Sequence, residues 1–177
     1  MRKMKNVKRK IAAIAFAVMM GMGLLSMAMP AKAYAASVDA AKAKSIALKD
    51  AGYKSSSVKS LTCKKDSRGK EYIVKFKKGK YTFRYEIKKN SGKIDEMSRK
   101  LTKVKKSSGS KEISKEKATK IAYKKLSINS ARDLDRERDT YRGAKVWEVS
   151  FDKGNYEYEF KIDRYSGKIL YMEKERN

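Results

Sequence analysis

Apolar and polar residues alternate along the stretch from Val146 to Ile169. Trp147, Val149 and Phe151 take one phase, and Tyr156, Tyr158, Phe160 and Ile162 resume it beyond Asp152-Lys153-Gly154-Asn155. A period of two puts such a set on one face of a strand. Two such runs around a Gly-containing turn predict an antiparallel hairpin. Arg164-Tyr165-Ser166-Gly167 predicts a second turn, with a third strand starting at Lys168. The same alternation predicts strands over Tyr72 to Phe76, Tyr81 to Ile87 and Ile94 to Met97. Val58 to Lys64 predicts a further strand, with a weaker counterpart around Ala131 to Asp135.

Two segments follow the helical period instead. In Val38 to Ala51, the apolar residues Ala43, Ile46, Ala47 and Ala51 recur at spacings of three and four, which gives one narrow stripe. Asp39 is placed to cap its start, and Gly52 to end it. In Ile113 to Leu126 the stripe is Ala118, Ile121, Ala122 and Leu126. Ser114 is its N-cap, and Glu116 sits in the first turn, where the helix dipole favours an acid. The small residues of both stripes let a helix lie close on a sheet.

These patterns are two copies of one pattern. Phe76 and Phe151 stand 75 positions apart (151 − 76 = 75), and the offset holds without a gap through Gly79 and Gly154, Tyr81 and Tyr156, and Ile87 and Ile162. Ser91-Gly92-Lys93-Ile94 matches Ser166-Gly167-Lys168-Ile169, and Ala43, Ile46 and Ala47 match Ala118, Ile121 and Ala122. A long period repeated once suggests two similar small α+β units. Each is one helix on an antiparallel sheet of three to four strands.

The repeat unit resembles the PepSY domain, a module of secreted metallopeptidase propeptides and of bacterial cell-envelope proteins. The resemblance rests on Glu116, Ala118, Ile121 and Ala122 in the helix, Trp147 to Phe151, Gly154, Tyr156 to Asp163, and Ser166 to Ile169. The first copy departs from the pattern at Lys88, where an acid is expected, and at Ala41, where a helix Glu is expected. The resemblance implies two tandem cystatin-like units, each with its helix across a curved sheet. It also implies a non-catalytic binding module that modulates or inhibits a peptidase.

The N-terminal segment changes the setting. Arg2, Lys3, Lys5, Lys8, Arg9 and Lys10 precede an uncharged, mainly apolar run from Ile11 to Met29, then Pro30 and Ala33-Tyr34-Ala35. Basic, apolar and small residues in that order form a secretory signal with an A-x-A cleavage site. The organisation is then a signal peptide over 1–35, the first unit over 36–98, a basic linker over 99–112 and the second unit over 113–177. The full chain carries a formal charge of +26. Cleavage leaves 39 basic residues (46 − 7 = 39) against 20 acidic ones. Such a field concentrates anions at the surface. The linker is strongly basic, and Arg99, Lys100, Lys103, Lys105, Lys106 and Lys111 are the candidate polyanion-binding residues. An exported basic protein would meet wall teichoic acid, anionic lipid head groups or released DNA. Binding of such a polyanion is the alternative function. No nucleic-acid recognition motif is present, and no stable membrane span is expected after cleavage.

Catalytic chemistry has few carriers. The sequence has no His and a single Cys, Cys63. That removes the commonest general base and the Ser-His and Cys-His nucleophile pairs. It also rules out an intramolecular disulfide and a cysteine-based metal cluster. Cys63 alternates with Leu61 as a small core residue. Glu157 and Glu159 share a strand face, but the lysines near them in sequence are expected to keep both ionised. No cofactor is expected, and an enzyme is not. Secreted material is expected to lack residues 1–35. An intact mass that retains Met1 to Ala35 would refute the cleavage.

Overall fold

Each helix begins at its sequence-marked cap, and the first also ends at its marked glycine. The computed structural model describes residues 37–109 and 111–177, so the expected signal segment and its cleavage site lie outside the described residues. Helix α1 spans Ala40–Ala51; Asp39 caps it by accepting the Lys42 N–H at 2.7 Å, and Gly52 closes it in the left-handed region. Helix α2 spans Lys115–Leu126, and Ser114 accepts the Lys117 N–H at 3.2 Å. Hydrogen bonds to the main chain and to Ser114 hold the Glu116 carboxyl below its usual range, as expected of an acid in the first turn of a helix.

Four strands follow each helix. In the first half they are β1 (Lys59–Lys65), β2 (Glu71–Lys78), β3 (Tyr81–Lys88) and β4 (Ile94–Leu101). In the second half they are β5 (Arg132–Tyr141), β6 (Ala144–Lys153), β7 (Tyr156–Asp163) and β8 (Ile169–Arg176). Both runs are antiparallel meanders, and they join into one eight-stranded sheet of order β1-β2-β3-β4-β8-β7-β6-β5. The join is β4 against β8, with Met97 opposite Lys174, Ser98 opposite Glu173 and Arg99 opposite Met172. Ser98 and Glu173 are themselves 75 apart (173 − 98 = 75). The pairing is therefore centred on equivalent residues, as at a two-fold interface. The two halves of the chain thus share one sheet rather than forming two separate ones.

Two sequence boundaries move. Arg99 and Lys100 belong to β4 rather than to the linker, because their backbones pair with β3 on one side and β8 on the other. Strand β5 is longer than its pattern indicates. Eight of its ten residues are polar, and it lies at the sheet edge, where charged side chains keep further strands from adding.

The core lies between the helices and one face of the sheet. Ala43, Ala47, Ala118 and Ala122 are fully buried against Val74, Phe76, Tyr85, Val149, Phe151 and Phe160. Trp147 is 9% exposed and donates its indole N–H to the Ile113 carbonyl at 2.9 Å. Cys63 packs at the margin of this core, and burial raises its thiol pKa.

The Ser-Gly-Lys-Ile turns fasten the helices to the sheet. The Val38 N–H donates to the Lys89 carbonyl and the Ile113 N–H to the Arg164 carbonyl, each at 2.7 Å. Gly92 and Gly167 have φ of +67° and +68° under these contacts, and a Cβ on Gly167 would stand 3.1 Å from Ile121 Cδ1. Gly154 has φ of +63° but nothing within 4 Å. Gly167→Ala is expected to lower stability by about 2 kcal/mol, from left-handed strain plus contact with the helix. Gly154→Ala should lower it by about 1 kcal/mol, from strain alone. Chemical denaturation of the two variants checks this, and equal losses would remove the helix contact from the account.

Candidate functional site

Arg99, Lys100, Lys103, Lys105, Lys106 and Lys111 do not form one patch. Successive strand residues point to opposite faces. Arg99 accordingly lies on the helix side of the sheet, its guanidinium 4.7 Å from the centre of the Tyr81 ring. Lys100 lies on the open face, 5.4 Å from the Tyr171 ring. Lys103, Lys105, Lys106 and Lys111 are exposed in the connecting segment. Lys103 and Lys105 stand beside Ser166 and Lys168, while Lys106 lies against Gly143. The segment is anchored as well, because Val104 packs beside Leu101 and Leu170.

The helix-side position of Arg99 puts it in a cleft of about 350 Å³ between the C-terminal ends of α1 and α2. Two register rows make its floor. One runs Phe83, Arg99 and Met172; the other runs Tyr85, Met97, Lys174 and Tyr158. Asp50 and Tyr53 wall it on the α1 side, and Lys125, Leu126 and Ser127 on the α2 side. Tyr158 is half-buried and opens onto this space rather than being closed in the core.

The charges in the cleft are unevenly matched. Asp50 accepts from the Tyr85 hydroxyl at 3.0 Å and from Lys174 Nζ at 3.1 Å, so both its oxygens are engaged. Burial, then the Asp50 charge, pushes the Tyr85 hydroxyl pKa well up. Arg99 and Lys125 have no such partner among the described residues. Arg99 Nε is buried without a hydrogen bond. Burial draws the Arg99 pKa down. Partial burial and then the Arg99 charge draw Lys125 down in turn. The repeat offset relates the two arrangements: Asp50 corresponds to Lys125 (125 − 50 = 75) and Arg99 to Lys174 (174 − 99 = 75). Each helix end meets the join strand of the other half. One such meeting is an ion pair and the other brings two cations together. Nothing in either residue's local sequence marks it. The signal available in the sequence was the sign change from Asp50 to Lys125 at matched positions.

The open face of the sheet has the opposite character. Glu86, Glu96, Glu175, Glu157 and Asp152 stand opposite one another in register across β3, β4, β8, β7 and β6. Glu159 and Glu173 face each other in the next row. Arg84 and Lys161 are the cations paired with these acids. Arg84 pairs with Glu86 and, at 2.8 Å, with Glu96; Lys161 reaches Glu148 at 2.6 Å, Asp139 at 3.1 Å and Glu159 at 3.2 Å. Burial raises the Glu157 carboxyl pKa, and Asp152, Glu175 and Glu173 raise it further. Burial raises Glu159 as well, with Lys161 opposing and Glu148 and Glu173 adding to it. Register brings acids of other strands beside both, and Lys161 is the cation that opposes the shift at Glu159. No group of three or more His, Cys, Asp or Glu suited to hold a metal ion occurs among the described residues.

Residues 112–173 match the family model described as peptidase propeptide and YPEB domain, PepSY. Among solved structures, the chain is similar to a candidate lipoprotein from Clostridium difficile 630, at 17% identity and a TM-score of 0.33, covering 83% of this chain and 98% of that one. It is also similar to the Bacillus megaterium YpeB C-terminal domain, at 15% identity and a TM-score of 0.27, covering 79% of this chain and 66% of that one. No curated protein matches. Like charges directly opposite across strands destabilise a sheet. Glu157→Gln is therefore expected to raise stability at pH 7 by about 0.5 kcal/mol. Because the folded-state pKa is raised, protonation relieves this repulsion in the wild type as pH falls through that pKa, so the variant's advantage should vanish in acid. Thermal melts from pH 7 to pH 3 check this, and an advantage that grows on acidification would refute it.

Proposed function

With residues 112–173 forming a PepSY domain, we propose that the chain is an exported, non-catalytic binding module that modulates or inhibits a peptidase at the cell envelope. The observation that carries this is the family match itself, whose description ties the domain to peptidase propeptides. The sequence supports the non-catalytic part, with no His and a lone, partly buried Cys63. The basic and apolar start of the chain supports export. Residues 36–98 serve as a second, diverged PepSY unit, so that the chain is a tandem of two cystatin-like units. The 75-position offset and the common order of one helix and four strands support that reading.

A second reading is electrostatic binding of an envelope polyanion such as wall teichoic acid. It is favoured by the exposure of Lys103, Lys105, Lys106 and Lys111 along one connecting segment. Polyanion binding would weaken steeply with salt through counterion release, whereas a packed protein interface would persist. The test is to measure cleavage rates of the host's exported peptidases with and without the secreted protein, at low and at high salt. A changed rate that survives high salt is the expected result. Unchanged rates throughout, with teichoic acid bound only at low salt, would replace the first reading by the second.

A further inference from the structure

We propose that the cleft between the helix ends binds the C-terminal carboxylate of a peptide, with Arg99 and Lys125 as its cationic partners. Two cations facing one cleft repel each other unless an anion joins them; Arg99 is part-buried and Lys125 exposed at its mouth. Here one is a guanidinium with a buried, unpartnered Nε, and the other an ammonium on the opposite wall. The matched positions of the repeat supply an internal control. Where α1 brings Asp50 to the join strand, Lys174 is neutralised at 3.1 Å; where α2 brings Lys125, the carboxylate is missing. A ligand carboxylate would restore in the second place what the chain itself provides in the first. A guanidinium donates to a carboxylate in a charge-assisted pair, which is among the stronger hydrogen bonds in proteins.

The floor decides which anion fits. Phe83, Met97 and Met172 lie buried beneath the cations and half-buried Tyr158 borders them, which gives the cleft a small apolar and aromatic floor. A polyol phosphate has no apolar group to lay there. The last residue of a peptide carries its carboxylate and an apolar side chain on one carbon, so both can be met within one cleft. The volume of about 350 Å³ is at the small end of ligand sites and suits one terminal residue rather than a long segment. This occupant rests on reading the chain as a module directed at peptidases, whose substrates and products are peptides.

The probe is a fluorescent hexapeptide of sequence Ser-Gly-Ser-Gly-Ala-Leu, titrated by anisotropy against the secreted protein. Its amidated form and an amidated form with Glu in place of the fourth residue are run beside it. The free acid is expected to bind at least tenfold tighter than the simple amide. The informative variant is Lys125→Asp, which reproduces at α2 the acid found at α1. It should lose at least tenfold in affinity while its thermal midpoint stays the same or rises, because Arg99 gains an internal partner. Arg99→Gln should also lose binding. Equal binding of acid and amide, preference for the amidated Glu peptide, or wild-type affinity in Lys125→Asp would each overturn the proposal. The titration uses no peptidase. A chain that binds the free acid yet alters no peptidase rate would therefore sink the wider reading and leave this one standing.

Discussion

The backbone pairing of β4 with β8 is the constraint on which the other features depend. Each half of the chain ends in a strand that has a partner on one side only, β3 for β4 and β7 for β8. Such an edge presents unpaired N–H and C=O groups and would recruit another chain. Placing the two edges against each other satisfies both and doubles the sheet. It leaves as outer edges only β1 and β5, which are rich in charge and interrupted near Ser60 and Asp133 by register shifts. A helix on four strands has a small core; one continuous sheet lets both helices contribute to a single one.

That pairing also sorts the charge. On the helix side it brings Met97 and Met172 to the centre, with Arg99 and Lys174 beside them. On the other side it brings the acids of β3 and β4 into line with those of β7 and β8. A chain of net +26 thereby carries a row of five carboxylates across five strands. Glu96 and Glu175 belong to different halves and meet only because of the join. The repulsion between them is tolerated because the same register closes the core beneath.

The asymmetry of the cleft lies in different residues at positions 75 apart, Asp50 against Lys125. Two halves related by a local two-fold axis would offer two equal contacts between a helix end and the facing join strand. Here one contact is an ion pair and the other a pair of cations. In the same way the acid that shapes the second Ser-Gly turn has changed. Asp163 accepts the Ser166 N–H at 2.8 Å, while Lys88 at the matched place bonds Asp95 at 2.6 Å. The pattern that builds the core is kept in both copies, and the polar positions around it are where the copies part.

The sequence by itself determined the elements and their order. Period-two and helical spacing, Asp39, Ser114 and the turn glycines placed both helices and most strands, since these depend on contacts near in the chain. The edge strand β5 was legible only in part, because an exposed edge needs no apolar alternation. The tertiary structure alone decided how the halves meet, that Arg99 and Lys100 part to opposite faces, and that Arg99, Lys125, Asp50 and Lys174 share one cleft. The physical reason is that strand register between distant segments is set by backbone hydrogen bonds and by shape. Neither leaves a mark in the local pattern of side chains.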